Sequence, residues 1–362
     1  MLIIDAHLDL AWNALQWNRD LTQSVYTLRV REQTIPGRGR AVNTVALPEL
    51  RRGRVALCFA TLMARSTGRP LAHVDFDSTE QAYATACGQR AYYEALELRG
   101  HARLIGNVTE LDDHMAEWHA WERTDSPVTP PLGIVISMES ADSILFPEQV
   151  AAWYAQGVRL IGPAHQGPGR YVGGTGVEDG FNAAGFELLR QIEAAGIILD
   201  LTHLPDAAFW QALERFGGPV IASHNTCRTL APHQRQFDDA QIKAIAARGG
   251  VIGMGFDLWM LIPGFIKGSS TTAGTSISLA VDHIDHICQL TGSAQHAAIG
   301  SDLDGGFGRD QAPGDLDTIA DLQMLTGIME RRGYSADDIA AIMYGNWLSL
   351  LRRVWAKGAS PV

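Results

Sequence analysis

The sequence is poor in lysine and has no run of basic residues. Its lysines are Lys243, Lys267 and Lys357, which are scattered along the 362 residues. With 40 acidic and 29 basic residues, the formal net charge is -11. A nucleic acid or an anionic membrane surface is therefore not expected as a partner, because both require clustered cations.

Cysteines and long apolar segments are also scarce. The four cysteines lie far apart and form no C-x-x-C pair, which excludes a cysteine-based structural zinc site or a dense disulfide framework. No apolar run reaches the roughly 18 to 20 residues of a membrane span. The start, MLIIDAHLDL, lacks the basic and apolar regions of a secretory leader. We therefore predict a cytoplasmic protein with free thiols.

What the sequence does contain is an alternation of short apolar runs with longer amphipathic ones. Hydrophobic residues make up 46% and charged residues 19%, as in a globular protein with a large core. Eight runs have the β-branched or small apolar composition of buried strands. They are Leu2–Asp5, Val55–Leu62, Gly133–Ser137, Val158–Ile161, Gly196–Leu201, Pro219–Ala222, Gly250–Met254 and Ala297–Ser301.

Helical patterns separate these strands, and the whole indicates an α/β fold of the (β/α)8 TIM-barrel type. We expect a single catalytic domain over residues 1–362, with a long first connection from about Trp12 to Arg54. The segment Ala102–Asn107 is predicted as a short strand outside the barrel. The helices are predicted at Ser78–Leu98, Phe181–Ala195, Ala207–Phe216, Asp238–Arg248, Ser276–Thr291 and Asp315–Arg332.

Polar residues follow most of the predicted strands. In a parallel barrel the carboxyl ends of all strands meet at one face, where active sites of this fold lie. Four histidines and at least three carboxylates should therefore converge there. The strand-end residues are His7, Asp9, Glu139, His165, His203, His224, Asp302 and Asp304.

The residue types favour a metal site. His7 and Asp9 are two apart, so an extended backbone directs both side chains to one side. Imidazole and carboxylate together are ligands for zinc or another divalent transition metal. Two metals need a bridge, which in many amidohydrolase-type barrels is a carbamylated lysine. No lysine closely follows a predicted strand, so Glu139 is the predicted bridge.

The motifs resemble those of the membrane (renal) dipeptidase family of binuclear zinc metallopeptidases, which are amidohydrolase-like. The resemblance covers essentially the full length, and the order and spacing of the motifs make it specific. The motifs are DAHLDL, SMES at Glu139, DLTHL at His203, SHNTCR at His224, DDAQIKAIAARGGVIG, VDHIDHI, IGSDLDGG at Asp302 and YGNWL.

The resemblance implies two Zn²⁺ per chain. By matching position, His7 and Asp9 would hold one zinc, His203 and His224 the other, and Glu139 would bridge them. A hydroxide shared by the two metals would attack the peptide carbonyl of a small dipeptide.

Three further residues take roles by the same resemblance. His165 would polarise the substrate, Arg235 would hold the C-terminal carboxylate of the substrate, and Asp302 would be the acid/base. Asp304 is the alternative to Asp302, and Arg228 is the alternative to Arg235. His283 and His286 lie on a predicted helix outside the barrel, so we interpret them as structural.

Three segments depart from the family pattern. Ser140-Ala141-Asp142 replaces the usual G-G-H after the glutamate, residues 166–171 replace an asparagine-rich segment, and Gly255-Phe256 replaces Asn-Phe. The predicted metal ligands are intact while the pocket walls differ.

The sequence thus predicts a dipeptidase that tolerates a D-residue at the C-terminal position, and the family suggests a homodimer. A hydrolase of another small amide or a lactone, such as an N-acyl amino acid hydrolase, is the alternative within enzymes. A catalytically silent, metabolite-binding barrel is the alternative outside them. A silent barrel would be expected to lose a ligand or Asp302, and neither is lost.

Overall fold

A nearly closed barrel of eight parallel strands forms the centre of the protein. The structure is a computed structural model that describes residues 1–37, 39–68, 74–124 and 126–357. Its strands are β1 (Ile3–Leu8), β2 (Val55–Met63), β3 (Ala102–Leu104), β4 (Leu132–Glu139), β5 (Val158–Gly162), β6 (Ile198–Asp200), β7 (Val220–Asn225), β8 (Ile252–Met254) and β9 (Ala297–Ile299). Around the barrel the order is β1-β2-β4-β5-β6-β7-β8-β9, and β3 pairs with β4 outside it.

Helices connect the strands and cover the barrel. Those of the described residues are α1 (Leu10–Leu15), α2 (Val25–Glu32), α3 (Leu47–Arg52), α4 (Thr79–Leu98), α5 (Val108–Glu122), α6 (Val150–Ala155), α7 (Ala183–Ala194), α8 (Asp206–Arg215), α9 (Asp239–Ala247), α10 (Leu258–Leu261), α11 (Ser278–Thr291), α12 (Met324–Arg331), α13 (Ala336–Ala340) and α14 (Asn346–Lys357). None of these helices is both long and apolar enough to cross a membrane.

The predicted (β/α)8 architecture is confirmed, with all eight barrel strands present and β3 lying where the extra strand was expected. One predicted helix, Asp315–Arg332, is wrong at its start. The hydroxyl of Thr318 accepts a hydrogen bond from the amide of Ala320, and the carboxylate of Asp321 accepts from the amide of Thr318. This capping box begins a 3-10 turn at Ile319, so regular α-helix begins only at α12.

Alternate residues of the strands face the inside of the barrel, where they form one apolar cluster. Ile4, Phe59 and Ile198 belong to it. Trp347 of α14 joins the same cluster, stacks edge-on against Phe59 at 5.2 Å and donates its indole N–H to the carbonyl of Ile299 at 2.8 Å. The strands are therefore packed on both faces, and the carboxyl ends are left to carry polar groups.

The two ends of the sheet meet between β1 and β9. The amide of Asp302 donates to the carbonyl of His7 at 3.2 Å. The carboxylate of Asp5 accepts hydrogen bonds from the amides of Ser301 at 2.8 Å and of His7 at 3.1 Å. A buried carboxylate thus links the ends of the sheet directly beside two of the predicted site residues.

The long first connection contains α1, α2 and α3 and is attached to the barrel mouth. Asp304 accepts hydrogen bonds from the amide of Thr44 at 2.6 Å, the hydroxyl of Thr44 at 2.8 Å and the amide of Val45 at 2.9 Å. All of these groups are buried. Both oxygens of the Asp304 carboxylate therefore bind the first connection.

Candidate active site

Five of the predicted residues form a compact cluster of ligand atoms at the carboxyl ends of the strands. One oxygen of Glu139 lies 3.3 Å from Nε2 of His203 and 3.5 Å from Nε2 of His224, and the other lies 3.6 Å from Nε2 of His7. His7 is in turn 3.9 Å from the carboxylate of Asp9. Glu139 therefore belongs to two ligand groups at once, Glu139–His203–His224 and His7–Asp9–Glu139.

Neighbouring hydroxyl groups orient these ligands. The hydroxyl of Thr175 lies 2.9 Å from Nδ1 of His203, and that of Ser223 lies 2.9 Å from Nδ1 of His224. Thr61 donates its hydroxyl hydrogen to the carboxylate of Asp9. When a hydroxyl accepts the Nδ1–H of a histidine, the Nε2 lone pair points away from it, as a metal requires.

The arrangement fits a divalent cation on the chemistry of its donors. Nε2 of His203 and Nε2 of His224 lie only 3.2 Å apart, next to the same oxygen of Glu139. Nε2 of His7 is buried and has no hydrogen-bond partner among the described residues. Lone pairs that face each other at such distances favour a cation between them.

Electrostatics support the same fit. Burial and the nearby Glu139 raise the pKa of Asp9 to about 6. Burial opposes charge on His7 as well, but the carboxylates of Glu139, Asp9 and Asp302 raise its pKa to about 10. These shifts show that the carboxylates of the cluster repel one another and attract positive charge, which is the field that a bound cation would experience.

His165 lies beside the cluster rather than inside it. It follows β5, and its Nε2 is 3.9 Å from the near oxygen of Glu139. Burial lowers the pKa of His165 to about 3, and the positive charges of Arg65 and Arg235 act in the same direction. The ring is therefore neutral and can donate one hydrogen bond into the site.

Asp302 also lies at the cluster, with its carboxylate 3.8 Å from Nε2 of His7. Burial raises its pKa well above the usual value, and the charges of Glu139 and Asp9 add to this effect. Its backbone is left-handed, with φ of 58°, a conformation that L-residues adopt mainly where the surroundings impose it. A Cβ on Gly305 would clash with the carboxylate of Asp302, so a larger residue at this position would displace that carboxylate.

The sequence left two candidates for each of two roles, and the structure gives the members of each pair different surroundings. Asp304 points to the first connection, so Asp302 is the aspartate at the cluster. Arg228 pairs with Asp206 through contacts of 2.7 Å and 2.8 Å away from the ligands. Arg235 is 2% exposed, and its Nη2 donates to the carbonyl of His224 at 2.8 Å.

The guanidinium of Arg235 retains binding capacity. Its Nε and Nη1 have no hydrogen-bond partner among the described residues. Burial lowers its pKa to about 10, although the charges of Asp302 and Glu139 oppose this, so the group stays positive at neutral pH. A buried cation with unused donors is a recognition group for an anionic part of a ligand.

His283 and His286 lie on α11, away from the ligand cluster. Nδ1 of His283 accepts the amide hydrogen of Cys227 at 3.0 Å, and its Nε2 lies 2.9 Å from the carbonyl of Leu261. His286 lies 2.8 Å from the carboxylate of Asp239. These contacts support the structural interpretation of both histidines.

Several supporting residues were not identified from the sequence. Asp200 ends β6 and accepts hydrogen bonds from the amides of Thr202 at 3.1 Å and of Ser223 at 3.0 Å. Asp200 comes two residues before Thr202-His203, just as Asp5 comes two residues before His7. This shared position could have identified both aspartates as supports of the site from the sequence. Arg65 had no such signal, because it comes from the loop after β2 and reaches His165 only through the fold.

Comparisons with known proteins identify the family of the chain. The family model of membrane dipeptidase (peptidase family M19) matches residues 1–359. An uncharacterised dipeptidase of Schizosaccharomyces pombe is 30% identical over 318 residues, which are 86% of this chain and 71% of that protein. An uncharacterised protein of Klebsiella pneumoniae encoded in the pqqA 5′ region is 31% identical over 215 residues, covering 56% of this chain and 75% of that protein.

A solved structure shares the fold. It is a metallopeptidase from Rhodobacter sphaeroides bound to a phosphinate mimic of the dipeptide L-Ala-D-Ala. The TM-score is 0.76 at 22% identity, over 98% of this chain and 99% of that one. The match of the family model over almost the whole sequence is the decisive finding. The chain belongs to the membrane dipeptidase family, peptidase family M19, and is a peptide-bond hydrolase.

Proposed function

We propose that the protein is a zinc-dependent dipeptidase that binds two Zn²⁺ ions. The observation that carries the proposal is the position of Glu139, whose two oxygens face different ligand groups at 3.3 to 3.6 Å. His203 and His224 would hold one ion, His7 and Asp9 the other, and Glu139 both. When bound, the metals would lower the pKa of water to about 7 and polarise a carbonyl oxygen.

Asp302 is proposed as the group that moves the proton. Its carboxylate lies at the ligand cluster, and burial beside other carboxylates raises its pKa, which favours the uptake of a proton. It would accept a proton from the attacking water and deliver that proton to the leaving amine. No serine or cysteine nucleophile is required for such a hydrolysis.

His165 and Arg235 are proposed to bind opposite parts of the dipeptide. The neutral ring of His165 would donate a hydrogen bond to the oxygen of the scissile carbonyl as negative charge develops on it. The unused N–H groups of Arg235 would bind the free C-terminal carboxylate in paired, charge-assisted hydrogen bonds. A substrate anchored at both positions has its peptide bond beside Glu139.

We further propose that the C-terminal residue can have the D configuration. The support is the similar fold of the Rhodobacter sphaeroides metallopeptidase, which was solved with a mimic of L-Ala-D-Ala. This protein departs from the family pattern at Ser140-Ala141-Asp142 and at residues 166–171. We therefore expect it to prefer dipeptides with side chains different from those of L-Ala-D-Ala.

The test combines metal analysis with a substrate panel. Protein purified without added metal is analysed for transition metals and then assayed on L-Xaa-L-Xaa and L-Xaa-D-Xaa dipeptides. N-acyl amino acids and lactones serve as competing substrates. We expect about two zinc per chain and hydrolysis of dipeptides in both configurations. Protein that contains no transition metal and is unaffected by chelators would contradict the proposal, and faster cleavage of N-acyl amino acids would assign the other amide-hydrolase function.

A further inference from the structure

A second arginine lies behind His165, on the side away from the ligand cluster. Arg65 follows β2 and is 8% exposed. Its Nη1 lies 2.9 Å from Nδ1 of His165 and donates to the carbonyl of Gln166 at 2.7 Å. Its Nη2 lies 3.4 Å from the carboxylate of Asp75. The two hydrogens of Nη1 thus serve two neighbouring acceptors.

The chemistry of the arginine determines which nitrogen of His165 carries the proton. A guanidinium donates hydrogen bonds and cannot accept them, so Nδ1 of His165 must be the acceptor. A neutral imidazole has one N–H, which is therefore on Nε2. That nitrogen is the one that faces Glu139, at 3.9 Å. His165 consequently offers the site a donor and no lone pair.

The backbone of Arg65 is held as firmly as its side chain. Its amide donates to the carbonyl of Val74 at 3.1 Å, and its carbonyl accepts the amide hydrogen of Phe76 at 2.8 Å. Asp75 therefore lies directly opposite Arg65 and supplies its counter-charge. A guanidinium held at several points keeps one orientation relative to the ring of His165.

Two segments that depart from the family pattern build this support. Asp142 accepts hydrogen bonds from the amide of Ser66 at 3.1 Å and from the amide of Arg170 at 2.8 Å. It thereby ties the loop after β2 to the loop after β5. The loop after β5 also includes Gln166, whose carbonyl shares the Nη1 of Arg65.

We propose that Arg65 is a positioning residue that fixes the Nε2–H tautomer of His165 and thereby makes His165 a hydrogen-bond donor to the scissile carbonyl. The inference rests on the role proposed for His165 in dipeptide hydrolysis. It assigns His165 to stabilisation of negative charge and excludes it as a general base, which leaves proton transfer to Asp302.

The direct test is nitrogen NMR of the ring of His165. Protein labelled with ¹⁵N-histidine, with its metal content measured, is compared with the His165→Gln variant to assign the two resonances. We expect an N–H-type shift at Nε2 and an unprotonated, hydrogen-bonded shift at Nδ1. The Arg65→Met variant should show a mixture of tautomers at unchanged metal content.

Kinetics provide the second readout. Arg65→Met should lower kcat on dipeptides about 10- to 100-fold, the same order as the loss of a hydrogen-bond partner of a metal-ligating histidine, with little change in KM. Added guanidinium should restore part of kcat, whereas an alkylammonium ion should not. The matched control is Arg170→Met, because Arg170 donates to the carbonyls of Ile144 and Leu145 in the same region without touching His165. It should keep both the tautomer and kcat.

The outcomes separate this inference from the proposed function. A protonated Nδ1 in the unmodified protein would overturn the inference whatever the activity, and so would an Arg65→Met variant with a single, unchanged tautomer and normal kcat. The expected tautomer in a protein that cleaves no dipeptide would support the role of Arg65 as a tautomer-fixing residue and would reject the dipeptidase instead. The measurement on the unmodified protein stands even where Arg65→Met does not fold.

Discussion

Replacement of Arg235 by methionine tests substrate recognition most directly. The guanidinium is buried, makes one hydrogen bond to the carbonyl of His224 at 2.8 Å, and keeps Nε and Nη1 without a partner among the described residues. Methionine fills a similar volume but provides no charge and no donor. The change therefore removes recognition of an anion while leaving most of the packing in place.

The expected effects of Arg235→Met on activity and on stability differ in size. Loss of a paired, desolvated contact with a carboxylate costs about 2–5 kcal/mol, which corresponds to a fall in kcat/KM of about 30-fold to a few thousand-fold. The folded protein itself loses one hydrogen bond, worth about 0.5–1.5 kcal/mol. Removal of a buried charge offsets part of that loss. We therefore expect a large kinetic effect with only a small change in Tm.

The assay compares two enzymes on two kinds of substrate, as in a double-mutant cycle. kcat/KM is measured for dipeptides with a free and with an amidated C-terminus, on the unmodified enzyme and on Arg235→Met. Amidated dipeptides should be poor substrates already and should lose little more in the variant. Arg248→Met is the control, because Arg248 is an arginine that donates to the carbonyls of Phe216 and Gly218, outside the site, and it should behave as the unmodified enzyme does.

Equal cleavage of free and amidated dipeptides by the unmodified enzyme would refute this reasoning. The function would then be that of a broader amidase, and the buried arginine would be structural. A fall in kcat/KM that is the same for both substrates would also refute it, since the guanidinium would then not act through the carboxylate.

Three further predictions concern proton transfer, metal binding and pH. Asp302→Asn should keep the metal and lower turnover about 10²- to 10⁴-fold, whereas Asp304→Asn should lower the stability of the first connection. Normal turnover of Asp302→Asn would assign the acid/base role to another residue. Loss of metal from this variant would make Asp302 a metal ligand, as its group with His7 and His224 allows. His203→Ala should lower the zinc content found by elemental analysis, and an unchanged content would remove it from the ligand set. Burial lowers the pKa of His283, so as the pH falls the histidine takes up a proton in the unfolded chain before it does so in the folded protein. The free energy of unfolding therefore decreases below about pH 6.5, with a slope of up to about 1.4 kcal/mol per pH unit. Denaturant unfolding from pH 5 to 7.5 should show a smaller slope for His283→Gln, and identical slopes would contradict the assignment.

The barrel could be predicted from the sequence because its strands are buried on both faces. Runs such as Val55–Met63 and Leu132–Glu139 are fully buried in the structure, and burial on both faces leaves a continuous apolar signal. The ends of the strands were predicted less accurately than their centres. The last strand ends at Ile299 rather than Ser301, because the amide of Ser301 donates to the carboxylate of Asp5 instead of to a neighbouring strand.

The candidate ligands could be predicted for a related reason. Each lies at the carboxyl end of a strand or shortly after it, so knowledge of the strand places the residue at the mouth of the barrel. The choice between Asp302 and Asp304 could not be made this way, since both follow the same strand. It depends on the turn after β9, where both residues have positive φ and the two carboxylates point to different partners. The single domain, the homodimer and the cytoplasmic location stay predictions.

The walls of the pocket illustrate what local sequence patterns leave out. Asp142 looks like an isolated departure from the family pattern when the sequence is read by motifs. In the structure its carboxylate accepts backbone amide hydrogens from Ser66 and Arg170, which lie in two different loops. Arg65, next to Ser66, then reaches His165. The departures at residues 140–142 and 166–171 are therefore joined by hydrogen bonds, and loss of the Asp142 carboxylate would loosen both loops beside His165, the histidine that faces the ligand cluster.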